Sequence, residues 1–294
     1  MISIIIPFYN ERENLPILLK ELEKAVAKIK EPCEAIFVDD GSKDKPKLLL
    51  KSTVFKIKLL THKKKEGKGR ALSDGVNQAE GEIIIFIDAD LQDDPADLPK
   101  FLEKIDQGYD FVNGIRSQRK DSRLVKIYSW MARYFLKIFV NSPYQDINCG
   151  FKAFRKEVLK DFIFYGNNFR FLPLWAYYNG YKVTEIPVNN RPRIYGQSKF
   201  GKKKFFTGFL DTLTAYFLYR FSEKPLHFFG TIGFILFITG LLIDLYLAYE
   251  RIFFNVLLYR RPLLWLGVLL IIVGIQIIMT GIIGELIVFL NKKK

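Results

Sequence analysis

Two nearly uncharged stretches toward the C-terminus limit what this chain can fold into more than any other feature. Leu226–Tyr249, LHFFGTIGFILFITGLLIDLYLAY, has Asp244 as its only formal charge. Leu263–Gly284, LLWLGVLLIIVGIQIIMTGIIG, has none, and apolar character resumes after Glu285 as far as Leu290. At ~1.5 Å per residue each is long enough to cross ~30 Å of hydrocarbon, and runs this long without charge are rare in soluble cores. Two membrane helices are therefore expected within 226–290. Gly230, Gly233 and Gly240 in the first, and Gly274, Gly281 and Gly284 in the second, would let them approach closely. Glu285, ionisable and next to the second run, should find a partner or reach the interface. An even number of spans returns both ends of the chain to one side. Lys199, Lys202, Lys203, Lys204, Arg220, Lys224 and the terminal Lys292–Lys294 mark that side as cytoplasmic, against Arg251, Arg260 and Arg261 between the spans. The strand-like run from Ile2 has no basic leader and is read as lacking a cleavable signal peptide, so about the first 220 residues are expected in the cytoplasm.

That part carries the charge. The chain has 294 residues with 45 Lys+Arg against 31 Asp+Glu, a formal net charge of +14, which favours an anionic partner: nucleic acid, a phospholipid surface or a phosphorylated small molecule. Nucleic acid is the weakest of these, because the positive charge gathers beside the spans and no recognised nucleic-acid module accompanies it. Only Cys33 and Cys149, with His62 and His227, are available to a thiol or imidazole site, so two cysteines are too few for a disulfide framework, a Cys/His zinc centre is not expected, and the cysteines are read as reduced thiols.

Apolar, β-rich runs at Ile2–Ile6, Ala35–Val38, Phe55–Leu60, Ile83–Ile87 and Phe111–Val112 alternate with helical patterns near Glu13–Ile29, Gly69–Ala79, Ala96–Gln107 and Arg123–Val140. This alternation predicts an α/β domain built on a parallel, doubly wound sheet, whose ligands bind beyond the carboxyl ends of the strands. Three strands lead there into Pro7-Phe8-Tyr9-Asn10-Glu11, Asp39-Asp40-Gly41-Ser42 and Asp88-Ala89-Asp90. Asp88 and Asp90, two apart just past a strand, are hard oxygen ligands suited to Mg²⁺ or Mn²⁺, and Gln92 could add a neutral oxygen. Asp93 and Asp94 precede Pro95 and are explained by helix capping. No glycine-rich phosphate loop with Lys-Ser/Thr is present, and no G-x-G-x-x-G follows the first strand, so P-loop nucleotidases and dinucleotide oxidoreductases are not supported. Arg191-Pro192-Arg193-Ile194-Tyr195-Gly196-Gln197-Ser198-Lys199 is a basic, turn-rich loop that suits a lipid headgroup or a diphosphate.

Taken together, IIIPFYNERENL, FVDDGSKD, GKGRALSDGV, IDADLQDDP, DINCGFKAFRKEV and VNNRPRIYGQSKFG resemble one family: GT-A fold, family 2 glycosyltransferases acting on polyprenyl phosphates, the group of dolichol-phosphate mannose synthases and bacterial undecaprenyl-phosphate counterparts. The resemblance runs from Ile2 to about Leu226 and extends to the appended membrane helices. It departs between Gly41 and Phe55, where the segment is short and rich in lysine. It implies a GT-A (Rossmann-like) cytosolic domain at 1–200, juxtamembrane amphipathic helices at 201–225 and a two-helix transmembrane domain at 226–290, in a bacterial or archaeal-type cell membrane. The implied reaction is inverting transfer of a sugar from a UDP- or GDP-linked donor to a polyprenyl phosphate. Asp88, Asp90 and Gln92 would hold Mg²⁺ or Mn²⁺. Pro7, Tyr9, Glu11, Asp39 and Asp88, with Ser198 and Lys199, would bind the donor, and Asp90 and Arg193 would be catalytic. Arg116 and Ser129 would contact the acceptor phosphate, with Arg123, Lys126 and Arg133 as further candidates. Homo-oligomers are left open. An anionic acceptor needs no proton removed, so cations rather than a general base are expected, and Asp146 receives no base role.

Two other readings compete. A processive polysaccharide synthase of the same superfamily would carry a Q-x-x-R-W motif, which is absent from the sequence. A non-catalytic membrane scaffold that merely binds nucleotide sugar or lipid has no use for the Asp88/Asp90 pair.

Overall fold

The structure is a computed structural model that describes residues 1–44, 51–116, 143–192, 214, 217, 221, 224–255, 257 and 261–292. The chain divides into two compact units, Met1–Thr212 and Leu213–Lys294.

The first unit is built as β1 (Ile2–Phe8), α1 (Leu15–Val26), β2 (Cys33–Asp39), β3 (Lys56–Thr61), α2 (Lys68–Asn77), β4 (Ile83–Phe86), α3 (Leu98–Asp106), β5 (Phe111–Arg116), β6 (Lys152–Arg155), α4 (Leu172–Tyr178) and β7 (Val183–Val188). The strands form one seven-stranded sheet in the order β3-β2-β1-β4-β6-β5-β7. Every residue of β1 is buried, as expected of a strand covered on both faces, and the covering follows from side-chain alternation. Ile2, Ile4 and Ile6 pack with Leu15, Leu18 and Leu22 of α1 and with Phe101 and Ile105 of α3. Ile5 points to the opposite face, where α2 approaches so closely that a Cβ on Gly75 would lie 2.5 Å from its side chain. On that face Phe154 sits between Phe86, at 5.0 Å edge-on, and Phe111, at 5.4 Å stacked.

The sheet is not uniformly parallel, as the alternation had predicted. β6 lies between β4 and β5 and runs antiparallel to both, with Lys152 opposite Phe86 and Asn113. The reason lies in where the chain stands after β5. A strand that starts from the edge where β4 and β5 end needs no crossover, because an antiparallel neighbour can be entered directly. The stretch just before β6 therefore lies at the same edge as the turns that follow β1, β2 and β4.

The second unit is a hairpin of α5 (Pro225–Phe254) and α6 (Pro262–Lys292), both long and apolar enough to cross a membrane. Its seam brings backbone close to backbone at two places, and sets the Asp244 carboxylate against Gly267. A Cβ on Gly233 would lie 2.6 Å from the carbonyl oxygen of Gly274, and one on Gly240 would lie 2.6 Å from that of Gly267. Gly281 and Gly284 face Leu226 and Pro225, whereas Gly230 meets only Leu226 of its own helix. Glu285 finds its partner in the hairpin itself: its carboxylate accepts from the Leu226 N–H at 3.2 Å, capping the start of α5.

Candidate active site

The carboxyl edge of the sheet bears an open cavity of about 230 Å³ lined by Pro7, Phe8, Tyr9, Glu11, Asp40, Lys65, Lys68, Ala71, Asp88, Ala89 and Asp90. Strand register brings these together. Phe8 stands opposite Asp39 and Ile5 opposite Phe86, so the turns after β1, β2 and β4 emerge side by side.

Each wall has a local cause. After β1 the chain turns through Asn10, left-handed at φ 56°, a conformation Asn tolerates, and the Asn10 side chain accepts from Lys43 N–H at 2.8 Å. After β2 the two aspartates diverge. Asp39 folds back on its own turn, accepting from Ser42 N–H at 2.7 Å, and stays behind the cavity wall. Asp40 lines the cavity and accepts from Glu66 N–H at 2.7 Å and Gly67 N–H at 2.9 Å, while its Oδ1 lies 3.0 Å from His62 Nδ1. These bonds fix the start of α2, from which Lys68 reaches the Asp88 carboxylate. The Lys65 ammonium lies 4.0 Å from the centre of the Tyr9 ring, a cation–π contact on the cavity wall.

The turn after β4 is strained. Leu91 adopts φ 60° with its side chain fully buried, so packing holds a backbone conformation that costs about 1–3 kcal/mol. Gly150, before β6, backs this turn: a Cβ there would lie 2.7 Å from Asp88 Oδ2. Burial opposes ionisation of Asp88, but the charge and hydrogen bond of Lys68, with Lys152 and Arg116 nearby, hold its carboxyl below the usual range. Asp93, buried behind the turn, is pushed up to about 7 by burial and by the negative charges of Asp88 and Asp90. The field at the turn is thus a contest between the carboxylates of Asp88 and Asp90 and the cations Lys68 and Arg116.

That field and the donor set decide whether a divalent cation fits. Asp88 and Asp90 offer carboxylate oxygens to the cavity, the ligand type that Mg²⁺ and Mn²⁺ prefer. Among the described residues no group of three or more His, Cys, Asp or Glu is placed to hold a metal. Two carboxylates suit an ion that completes its shell with water and substrate phosphates, as Mg²⁺ usually does. Gln92 is not among the lining residues, and its backbone carbonyl accepts from Arg191 N–H at 2.7 Å. Arg191 also pairs with Glu21 at 2.7 Å and Asp94 at 2.5 Å, so the chain leaving β7 is fastened beside the acidic turn.

Arg116, at the end of β5, is held by Asp146 through two bonds, Nε–Oδ2 at 2.7 Å and Nη2–Oδ1 at 2.8 Å. Burial opposes the Asp146 charge, but Arg116 overrides it and keeps the carboxyl low. Behind this pair lies a polar network centred on buried Asn113 and Lys152. Glu185 accepts from Gln145 N–H at 2.7 Å and Asn113 Nδ2 at 2.9 Å. Lys152 donates to Asn113 Oδ1 at 2.9 Å and to the carbonyls of Ile147 and Cys149. Burial pushes the Cys149 thiol up to about 12 and the Cys33 thiol to about 11, which keeps both protonated and unreactive at neutral pH.

Of the residues singled out from the sequence, Pro7, Tyr9, Glu11, Asp88 and Asp90 meet in the cavity, with Asp39 behind it. Arg123, Lys126, Ser129, Arg133, Arg193, Ser198 and Lys199 lie outside the described residues. Sequence reasoning passed over Asp40, Lys65 and Lys68, as well as the network of Asn113, Lys152 and Glu185. Lys68 carried a readable signal, a cation between two glycines at the start of an amphipathic helix.

A mixed sheet with acidic turns gathered at its carboxyl edge defines a GT-A glycosyltransferase architecture. Glucosyl-3-phosphoglycerate synthase from Mycobacterium tuberculosis, solved with Mn²⁺, uridine diphosphate and phosphoglyceric acid, matches with a TM-score of 0.58 at 15% identity, covering 74% of this chain and 78% of that one. Residues 3–163 match the model of glycosyl transferase family 2, and the chain belongs to that family. It is 30% identical to dodecaprenyl-phosphate galacturonate synthase of Rhizobium johnstonii, over 97% of this chain and 87% of the relative. It is 31% identical to undecaprenyl-phosphate 4-deoxy-4-formamido-L-arabinose transferase of Pectobacterium atrosepticum, over 97% and 88%.

Proposed function

We propose that the protein transfers a sugar from a nucleoside diphosphate sugar to a membrane polyprenyl phosphate, with inversion at the anomeric carbon. The observation that carries this reading is the convergence of Asp88 and Asp90 with Pro7, Tyr9 and Glu11 in one cavity, in a chain aligned almost end to end with relatives named for polyprenyl-phosphate products. Asp88 and Asp90 hold Mg²⁺ or Mn²⁺, which when bound supplies Lewis-acid neutralisation of the departing diphosphate. Pro7, Tyr9 and Glu11 line the donor side, and Asp39 shapes the turn beneath the nucleoside. By family resemblance Arg193, with Ser198 and Lys199, closes over the donor, and the fastening of Arg191 beside the acidic turn supports that placement. Arg116 meets the acceptor phosphate, with Arg123, Lys126, Ser129 and Arg133 as its companions on the acceptor side. Asp146 occupies two of the five guanidinium donors and so orients the rest. Its carboxylate is committed to Arg116, which supports a reaction without a protein base: a phosphate monoester, with its second pKa near ~6, attacks already ionised. The catalytic unit faces the cytoplasm, and the hairpin of α5 and α6 spans the membrane.

The test is transfer of label from a panel of UDP- and GDP-linked sugars into polyprenyl phosphate and into the matching free polyprenol. Only the phosphate should accept, and Asp90→Ala should lower the rate by at least about 10²–10³-fold while the protein stays folded and membrane-bound. Equal transfer to the free alcohol, or activity that survives both Asp90→Ala and EDTA, would overturn the mechanism.

A further inference from the structure

Lys68 bonds the Asp88 carboxylate of the candidate metal turn, and neither the donor nor the acceptor roles proposed for other residues give it a task. Its position is built rather than incidental. Asp40 pins the backbone of Glu66 and Gly67, which sets the first turn of α2. Gly69 packs against the carbonyl of Gly166, and the Lys68 ammonium lies 5.2 Å from the centre of the Phe169 ring. From this base the side chain, about one-third exposed at 34%, crosses the cavity floor to Asp88 Oδ1.

Asp88 is thereby engaged by a cation already. A divalent ion on the same carboxylate would stand against the ammonium, and two positive charges a few ångströms apart in a partly desolvated cavity repel strongly. A lysine has a way out. Its four-carbon stem is flexible, its ammonium is a mobile point charge, and phosphate is a partner as good as carboxylate. The diphosphate of a donor bound in this cavity would lie within its sweep.

We propose that Lys68 is an exchange cation: it neutralises Asp88 when no donor is bound and moves to the donor diphosphate when a divalent ion takes over Asp88. Metal and nucleotide sugar then each raise the affinity of the other, through one side chain that cannot serve both anions at once. Such coupling is reciprocal by thermodynamic necessity. The proposal rests on the reading of Asp88 and Asp90 as metal carboxylates, and its test separates the two.

Full-length protein in detergent is titrated with Mn²⁺ alone, and again with saturating UDP or GDP, with free Mn²⁺ read by electron paramagnetic resonance. Lys68→Gln should bind Mn²⁺ alone about tenfold more tightly than the wild type, because the competitor is gone, and should lose most of the gain that the nucleotide confers. Lys68→Arg, which keeps the charge, should behave like the wild type. A tighter site is a gain that misfolding does not produce. Mn²⁺ affinity unchanged or weakened in Lys68→Gln, with Asp90→Asn losing Mn²⁺, overturns the exchange and leaves the metal site standing. Mn²⁺ binding that Asp90→Asn does not alter overturns the metal site and the exchange together.

Discussion

The two units of this chain bury polar groups by opposite means. In the sheet unit, Glu34 is fully buried yet accepts from Ser3 Oγ at 2.6 Å and Glu80 N–H at 2.7 Å and pairs with Lys58 at 2.8 Å. The same habit recurs at the ligand edge with Arg116–Asp146 and Lys152–Asn113. In the hairpin, Gly233, Gly240 and Gly274 meet backbone carbonyls while Gly267 packs against the Asp244 carboxylate, so the helices touch where side chains are missing. The difference follows from the solvent each face excludes. Water drives apolar burial around a sheet and leaves polar groups inside to be matched one by one. Between apolar helices that lipid would solvate equally well, close backbone packing is the main attraction available. A charge deletion should therefore damage the first unit most, and an added methylene the second.

The largest expected effect is that of Asp146→Ala, which leaves Arg116 without its partner at a site where both side chains are only 17% exposed. Loss of one member of a fully buried pair costs about 3–5 kcal/mol, and this partly buried pair should approach the lower figure. The thermal midpoint should fall, and the acceptor KM should rise more than the donor KM. Matched changes in both KM values would remove the link to the acceptor side.

Next comes a pH dependence. Burial, aided by Lys68 and Arg116, pushes Lys152 down to about 8 from 10.5, so between these values the unfolded chain holds a proton that the folded one has released. The penalty is fully present below about pH 8 and is relieved as pH rises toward 10.5, so stability from this residue increases with pH across that window. Lys152→Met lacks the titration. The stability of wild type relative to variant should grow by at most about 3 kcal/mol from neutral to alkaline pH in paired chemical-denaturation series. A flat difference would mean that the ammonium is not truly desolvated.

In the hairpin, Gly240→Leu sets a side chain against the Gly267 carbonyl, where even a Cβ would lie at 2.6 Å. Overpacking of this kind costs about 1–3 kcal/mol. The hairpin should unfold at lower SDS fraction while nucleotide binding is unchanged. The same substitution at Gly230, which faces only its own helix, should be silent and serves as the control. Smallest of all is Glu285→Gln, whose amide oxygen can still accept the Leu226 N–H; a loss below about 1 kcal/mol is expected in the same assay, against a larger one for Glu285→Leu.

The legible parts of the chain were those where one signal dominates. Length and lack of charge found α5 and α6, and β-branched runs found β1, β2 and β4. β6 was missed because KAFR offers only Ala153 and Phe154 between cations, and its reversal depends on where β5 ends rather than on local pattern. β7 contains Pro187 and two polar residues, which masks it as a strand. At the site, carboxylates following a strand could be read directly. Which of Asp39 and Asp40 faces the cavity could not, since that is set by the bond from Ser42 N–H to Asp39. The lysines were hidden by abundance: among so many exposed cations, only burial and partners single out Lys68 and Lys152.

The reversed strand has a consequence for chain connectivity. Because β6 runs back along β5, Arg116 and Asp146 stand together, and their ion pair ties the end of β5 to the stretch that leads into β6. Closure entropy grows only with the logarithm of loop length, about 0.6 kcal/mol for each doubling. By that measure the number of residues between Arg116 and Asp146 weighs little on the stability of the pair that joins their ends. A change between Arg116 and Asp146 leaves the turns after β1, β2 and β4 as they are.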